Sequence, residues 1–255
     1  MEKIRIFIGT EPKTNIPLKV LKYSILKHTK SEIEFNELGG HSWKYTKQAP
    51  LQIGTGFSLH RWYIPELCDY QGNAIYLDVD MLVFVDIAEL FHINLQNGSV
   101  ACCYTKNKWY EKAPATSCML ISCQKAKQQW QYYTEKQIIE LLQVDEKRKK
   151  YVALMHAQYV TPQPLEIDPL WNCFNNRKPG CKILHYTKED QQPWYYPENK
   201  EKNIWRDYFL ECLKAGLISK AECEFEIKRF QPHTSCCRGE GLHKYWSKFL
   251  VHAKN

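Results

Sequence analysis

A chain of 255 residues with 44% hydrophobic side chains has enough apolar material for one sizeable α/β domain, which is expected here rather than two small ones. Its 35 Lys and Arg against 28 Asp and Glu leave a formal charge of +7, which favours anionic ligands. The densest basic run, Lys147-Arg148-Lys149-Lys150, is only four residues long and has no aromatic interleaving, so nucleic acid is not an expected partner. A solvated helix face is expected for that run, with a peripheral membrane contact as the alternative.

In chain order, Ile4-Arg5-Ile6-Phe7-Ile8 is a β-branched run stopped by Gly9 and predicts a buried strand. After a loop over 9–15, Pro17 falls where a first helical turn tolerates proline, and Leu18, Leu21 and Ile25 recur at helical spacing up to about His28. Alternation of Ile33 and Phe35 with polar residues predicts a second strand over 31–38, ended by Gly39-Gly40. An apolar helical face spans 57–67, and Ala74-Ile75-Tyr76-Leu77 is a short strand running directly into Asp78.

Asp86-Ile87-Ala88-Glu89-Leu90 carries the acidic cap and acidic third position of a helix start. Further strands are expected at 100–104 and 119–121, a helix over 124–142, and irregular chain between Val160 and Pro179. Cys181-Lys182-Ile183-Leu184 predicts a last strand ending at His185, followed by helical segments near 205–213 and 242–251. Strands alternating with helices imply an α/β class with a mainly parallel sheet covered on both faces.

The opening MEKIRIFIGTEPKTN reaches a glycine and a proline too soon for the apolar core of a signal peptide. No apolar run approaches the ~20 residues that span a bilayer, so a cytoplasmic chain without a transmembrane segment is expected. Eleven cysteines, an odd number in a long chain, are expected as reduced thiols. The adjacent pairs Cys102-Cys103 and Cys236-Cys237, the latter near His233, lack the C-x-x-C spacing that suits structural zinc. Asn97-Gly98-Ser99 is expected as a turn rather than a glycosylation site.

Asp78-Val79-Asp80 stands at the carboxyl end of a hydrophobic strand, where ligands of α/β sheets bind. Two carboxylates one residue apart can both turn toward a hard divalent cation, and that cation can bridge a diphosphate. Met81-Leu82-Val83-Phe84 on the far side leaves the pair in an apolar setting, where charge needs compensation. The alternative is a carboxylate pair that caps a turn.

The stretch Ala74-Ile75-Tyr76-Leu77-Asp78-Val79-Asp80-Met81-Leu82-Val83 resembles the donor-site signature of glycosyltransferase family 8, the family of glycogenin and bacterial galactosyltransferases. Other parts resemble the family in the same order: Gly9-Thr10-Glu11, where uridine would bind, and Arg61 in the helix before the signature. Further on come Ser117-Cys118-Met119-Leu120-Ile121 beside the donor sugar, Asp168-Pro169-Leu170-Trp171-Asn172, and His185-Tyr186 with Pro193-Trp194. The resemblance spans about 3–194 and implies a GT-A type nucleotide-diphospho-sugar transferase fold with a helical C-terminal portion, about 200–255.

It further implies that Asp78, Asp80 and His185 ligate Mn²⁺ or Mg²⁺, with Val79 at the donor site and Arg61 near the phosphates or sugar. A surface salt bridge is the alternative for Arg61, and a satisfied edge histidine for His185. The implied activity is transfer of a hexose from a UDP-sugar to a glycan, lipid or protein acceptor.

Two departures stand out. The family's glycine and lysine before the proline-tryptophan pair are missing: Gln192 occupies the lysine's place, with Lys188 as the expected substitute near the diphosphate. The family's acidic-glutamine and Leu-Asn helix motif is represented only by Leu154-Met155-His156-Ala157-Gln158, so His156 or Gln158 is expected beside the sugar, with an ordinary helix end as the alternative. Ser117 and Trp194 complete the expected donor-sugar or acceptor set.

Two other functions compete. A phosphohydrolase would use the first aspartate as a nucleophile, but that chemistry wants a hydroxyl two residues after the second aspartate, where Leu82 stands. A non-catalytic sugar-nucleotide or glycan-binding module would keep the fold without turnover.

Overall fold

Alternation along the first strand sets the layers of the molecule. In β1 (Ile4–Thr10), Ile4, Ile6 and Ile8 enter one hydrophobic core while Phe7 enters another on the opposite sheet face. The computed structural model describes residues 3–11, 14–39, 57–106, 111–143, 146–188, 191–194, 196 and 198–230. The same parity runs through β3 (Asn73–Asp78): Ala74 and Tyr76 face one core, Ile75 and Leu77 the other. Strands buried on both faces read as continuous apolar runs, which is why these two were legible.

A six-stranded sheet has the order β2-β1-β3-β6-β5-β7, where β2 is Ile33–Gly39, β5 Val100–Thr105, β6 Ala113–Ser122 and β7 Leu165–Glu166. β1 pairs in parallel with β2 and β3, and β5 with β7, while β6 runs antiparallel to both its neighbours. The sheet is mainly parallel, as expected, with β6 as its single reversed strand. A smaller three-stranded sheet joins β4 (Met81–Val83), β9 (Ile183–His185) and β8 (Cys173–Phe174).

Helix α1 (Asn15–His28) buries Ile16, Leu18, Val20, Leu21 and Ile25, each fully buried aliphatic group contributing about 1.5–3 kcal/mol. Its buried Ser24 is satisfied, donating to the Leu21 carbonyl and accepting from the Val83 N–H. A 3-10 turn at His60–Tyr63 leads into α2 (Ile64–Leu67), and α3 (Ala88–Phe91) follows the expected acidic cap, with Asp86 accepting from the Ala88 N–H.

The helix expected over 124–142 is broken in two, α4 (Cys123–Gln129) and α5 (Glu135–Leu142). The break has a packing cause. Trp130 turns extended, donates its indole N–H to Ser99 Oγ at 2.8 Å and bridges to Val160, and Thr134 with Gln137 then forms a capping box that restarts the helix. Lys147–Lys150 opens α6 (Lys147–Met155), with Lys147, Arg148 and Lys149 exposed. The irregular span over 160–179 contains β7, a 3-10 turn at Pro169–Asn172 and β8.

A third core lies between the small sheet, α1, α7 (Lys202–Lys214) and α8 (Lys220–Phe230). There the Trp205 and Phe209 rings stack at 5.5 Å, and Trp194 packs on Trp205 and Tyr186. The nine cysteines among the described residues are all buried free thiols. Asn97 lies in a turn leading into β5. The helix expected at 242–251, Cys236-Cys237 and His233 lie outside the described residues. Among the described residues no helix is long and apolar enough to cross a membrane.

Candidate active site

Strand parity explains how the first carboxylate is set. Tyr76 and Asp78 are two residues apart, hence on the same face of β3, and the Tyr76 hydroxyl donates to Asp78 Oδ1 at 2.5 Å. The same face of β1 carries Gly9, whose missing side chain is required. A Cβ there would lie 2.3 Å from the Tyr76 hydroxyl oxygen and 2.4 Å from a Phe57 ring carbon. Behind Tyr76, Arg61 stacks its guanidinium over the ring at 4.5 Å and donates to Asp78 Oδ1 at 3.1 Å.

Arg61 is buried, and every polar arm is used. Its Nε donates to the Ser58 carbonyl and its Nη1 to the Thr116 carbonyl and hydroxyl, at 2.9, 2.7 and 3.1 Å. The surface salt bridge weighed for Arg61 is thus replaced by a buried one. Thr116 in turn donates to the Met155 carbonyl, which fixes the end of α6 against β6.

Asp80 and His185 are brought together by the small sheet. In its antiparallel ladder Met81 faces His185, and the Tyr186 N–H donates to the Asp80 carbonyl at 2.9 Å. His185 Nε2 then lies 3.1 Å from Asp80 Oδ1 and 3.9 Å from Asp78 Oδ2. On the other side of the ring, Nδ1 lies 3.0 Å from Asn172 Oδ1 and 3.3 Å from Ser117 Oγ, and the Asn172 amide donates to Ser117 Oγ at 3.0 Å. Because Asn172 Oδ1 is an acceptor, it places a proton on Nδ1, and Nε2 is the ring nitrogen that faces the two carboxylates.

Each of the three groups is held by one atom and presents the other. Asp78 is held at Oδ1 by Arg61 and Tyr76, Asp80 at Oδ2 by the Gln192 amide at 2.9 Å, and His185 at Nδ1 by Asn172. One potential ligand atom from each residue lies within 4.8 Å of those from the other two, and no other such group of three His, Cys, Asp or Glu occurs among the described residues.

Asp80 Oδ1 is buried and receives no hydrogen bond, being close to His185 Nε2 without the alignment of one. A buried carboxylate oxygen without a donor is costly. Two carboxylates and an imidazole aimed at one point, with that oxygen left over, fit a divalent cation.

The electrostatics agree with a slot that wants positive charge. Burial works to raise the Asp78 pKa and prevails over the pull of Arg61, so the carboxyl ionises above its usual range. Burial opposes charge on His185 as well, but the nearby Asp80 and Asp78 carboxylates outweigh it and raise its pKa. The imidazolium is thus favoured by the charge deficit that a metal ion would fill.

The other expected site residues fall in several places. Thr10 lies at the end of β1, its hydroxyl 2.8 Å from that of Thr14, while the Glu11 N–H donates to Thr14 Oγ1. The Val79 N–H donates to the Gly9 carbonyl, which ties the signature to the end of β1. Ser117 joins the slot as described. His156, half-buried with its pKa pushed down by burial, stands just after α6, and Gln158 is exposed beyond it.

Lys188 is exposed, its N–H donating to Asn175 Oδ1. Trp194, expected beside a sugar, is only 2% exposed and belongs to the third core, where Trp205 and Tyr186 already cover its ring. Sequence reasoning named Asn172 only within the 168–172 segment and Gln192 only as the residue in the lysine's place, and it gave no role to Tyr76 or Thr116. Tyr76 had a signal, the two-residue spacing to Asp78, whereas the others reach the slot from distant parts of the chain.

Three likenesses bear on this geometry. Protein CDI of Arabidopsis thaliana is 30% identical over 105 residues, a stretch covering 38% of this chain and 39% of that protein. WbbM, a bifunctional glycosyltransferase in apo form, superposes with a TM-score of 0.62 at 13% identity, covering 89% of this chain and 51% of WbbM. The galactosyltransferase LgtC, solved with donor and acceptor sugar analogs, superposes with a TM-score of 0.61 at 11% identity, covering 88% of this chain and all of LgtC (100%).

This chain therefore spans about half of WbbM, and its match to Protein CDI is shorter still. At such identities the structural likeness shows the fold, the GT-A type. Residues 18–198 match the model of the family described as glycosyl transferase family 8, and on that match the chain belongs to glycosyl transferase family 8.

Proposed function

We propose that these 255 residues act as one domain that transfers a hexose from a UDP-sugar to an acceptor hydroxyl, with retention of configuration, in the presence of Mn²⁺ or Mg²⁺. The observation that carries this is the convergence of Asp78 Oδ2, Asp80 Oδ1 and His185 Nε2, each residue anchored by its remaining polar atom. A cation bound there supplies charge to the diphosphate as it leaves.

Around it, Gly9, Thr10 and Glu11 would receive the uridine at the end of β1. Arg61 would keep Asp78 ionised and aimed, and the exposed Lys188 would lend an ammonium to the leaving phosphates. Ser117, with His156 or Gln158 on the turn after α6, would face the donor sugar or acceptor. Trp194 would contribute indirectly, by supporting the segment that carries Gln192. The acceptor class is a glycan, lipid or protein.

Calorimetric titration of UDP into the protein tests this. Binding is expected with Mn²⁺ and is expected to fall below detection in chelator, since two carboxylates and a diphosphate repel each other without a cation between them. Equal affinity in both conditions overturns the metal-dependent site. Slow release of free sugar and UDP from UDP-hexose with Mn²⁺ separates an enzyme from a module that only binds the donor. A thermal-shift screen of nucleotide sugars then identifies the donor.

A further inference from the structure

Gln192 is only 8% exposed, and its Nε2 lies 2.9 Å from Asp80 Oδ2 and 3.2 Å from the Tyr186 carbonyl oxygen. Two acceptors on the same side of the amide settle its orientation, because only the NH₂ end can donate to both. The Tyr186 N–H meanwhile donates to the Asp80 carbonyl. Asp80 is thus gripped at backbone and side chain by the chain that leaves β9.

The geometry points to Gln192 as the positioning residue for Asp80: its amide holds Oδ2 so that Oδ1 faces Asp78 and His185. This inference rests on the metal-dependent site proposed above. Without the tether, the carboxylate turns freely about its last torsion, and part of the cation's binding energy goes into ordering it. A neutral amide suits the task. It orients the carboxylate without cancelling the charge that attracts the cation, as an ammonium in contact with Oδ2 would do in part. It also links the segment up to Trp194, anchored in the third core, to a metal ligand.

The test uses the donor-free protein and Mn²⁺ alone. Gln192→Met keeps the length of the side chain and removes both donors. Its Mn²⁺ affinity, measured by calorimetry, is expected to fall about tenfold or more. The paramagnetic resonance spectrum of the bound ion is expected to change, and the metal-free melting temperature is expected to fall by a few degrees because Asp80 Oδ2 and the Tyr186 carbonyl lose their donor. Gln192→Asn, too short to reach Asp80, is expected to lose the same affinity and replaces the first variant if that one does not fold.

A residue that merely fills space would lower the metal-free melting temperature and leave affinity and spectrum unchanged. If wild type binds Mn²⁺ and the folded variants bind it as tightly, Gln192 is not a positioning residue and the metal site stands. If wild type binds no Mn²⁺, both the site and its tether fall.

Discussion

Asn172 shows how much a single amide can decide. It is 4% exposed, accepts from His185 Nδ1 and donates to Ser117, so one face of the histidine is committed before any ligand arrives. A partner of this kind, standing behind a ligating histidine, is typically worth 10–100-fold in metal affinity. Asn172→Ala is therefore expected to weaken Mn²⁺ binding by about that factor, approaching the effect of His185→Ala. Asn172→Asp is expected to recover most of the loss because a carboxylate also accepts from Nδ1–H. Mn²⁺ titrations of the three variants decide the matter, and an Asn172→Ala protein with wild-type affinity would mean that the ring is held by packing alone.

At the scale of elements, the C-terminal helices dock on α1 through charge as well as through the third core. Lys19 on α1 lies 2.5 Å from Glu222 on α8, and Asn15 adds a hydrogen bond to the same carboxylate. The Lys19 ammonium, followed by the Ser219 N–H and hydroxyl and the Asn15 amide, holds the Glu222 pKa at about 2, below its ordinary 4.5. A depressed carboxyl pKa contributes stability that is complete above the unfolded value and is lost as pH falls toward the folded one. Melting curves are thus expected to show wild type losing more stability than Glu222→Gln between pH 5 and pH 2, with parallel behaviour above pH 5. The pair is partly solvated, so the effect is modest. Identical acid sensitivity of the two proteins would show that the ion pair contributes nothing to docking.

Elements differ in how far local pattern could foretell them. β1 and β3 announced themselves because both of their faces are buried, and α1 because its apolar stripe keeps helical spacing. The break between α4 and α5 did not, since it depends on Trp130 finding Ser99 and Val160, partners some thirty residues away on either side. Asp78, Asp80 and His185 were legible through the strand ends that carry them and the order of motifs around them. The tethering roles of Asn172 and Gln192 were not, although both stood in segments that the motif order picks out: their partners are set by the pairing of β4 and β8 with β9, which no local periodicity encodes.

The slot lies where the two sheets of the molecule meet, and that placement has a consequence for the whole fold. Asp78 ends a strand of the six-stranded sheet, His185 ends a strand of the three-stranded sheet, and Asp80 sits in the short link between β3 and β4. A cation held by all three would cross-link the sheets, and a ligand that binds only the native state raises its stability by mass action. At a Mn²⁺ concentration about a hundred times the dissociation constant the gain is about 2.7 kcal/mol. For a protein of this size each kcal/mol raises the melting temperature by about 2–4 °C, so a rise of roughly 5–10 °C is expected. Asp80→Asn removes one charged ligand and is expected to lose most of that rise while still melting cooperatively. Melting in Mn²⁺, Mg²⁺ and chelator checks this, and an equal Mn²⁺-induced rise in wild type and Asp80→Asn would place the stabilising ion somewhere other than between the two sheets.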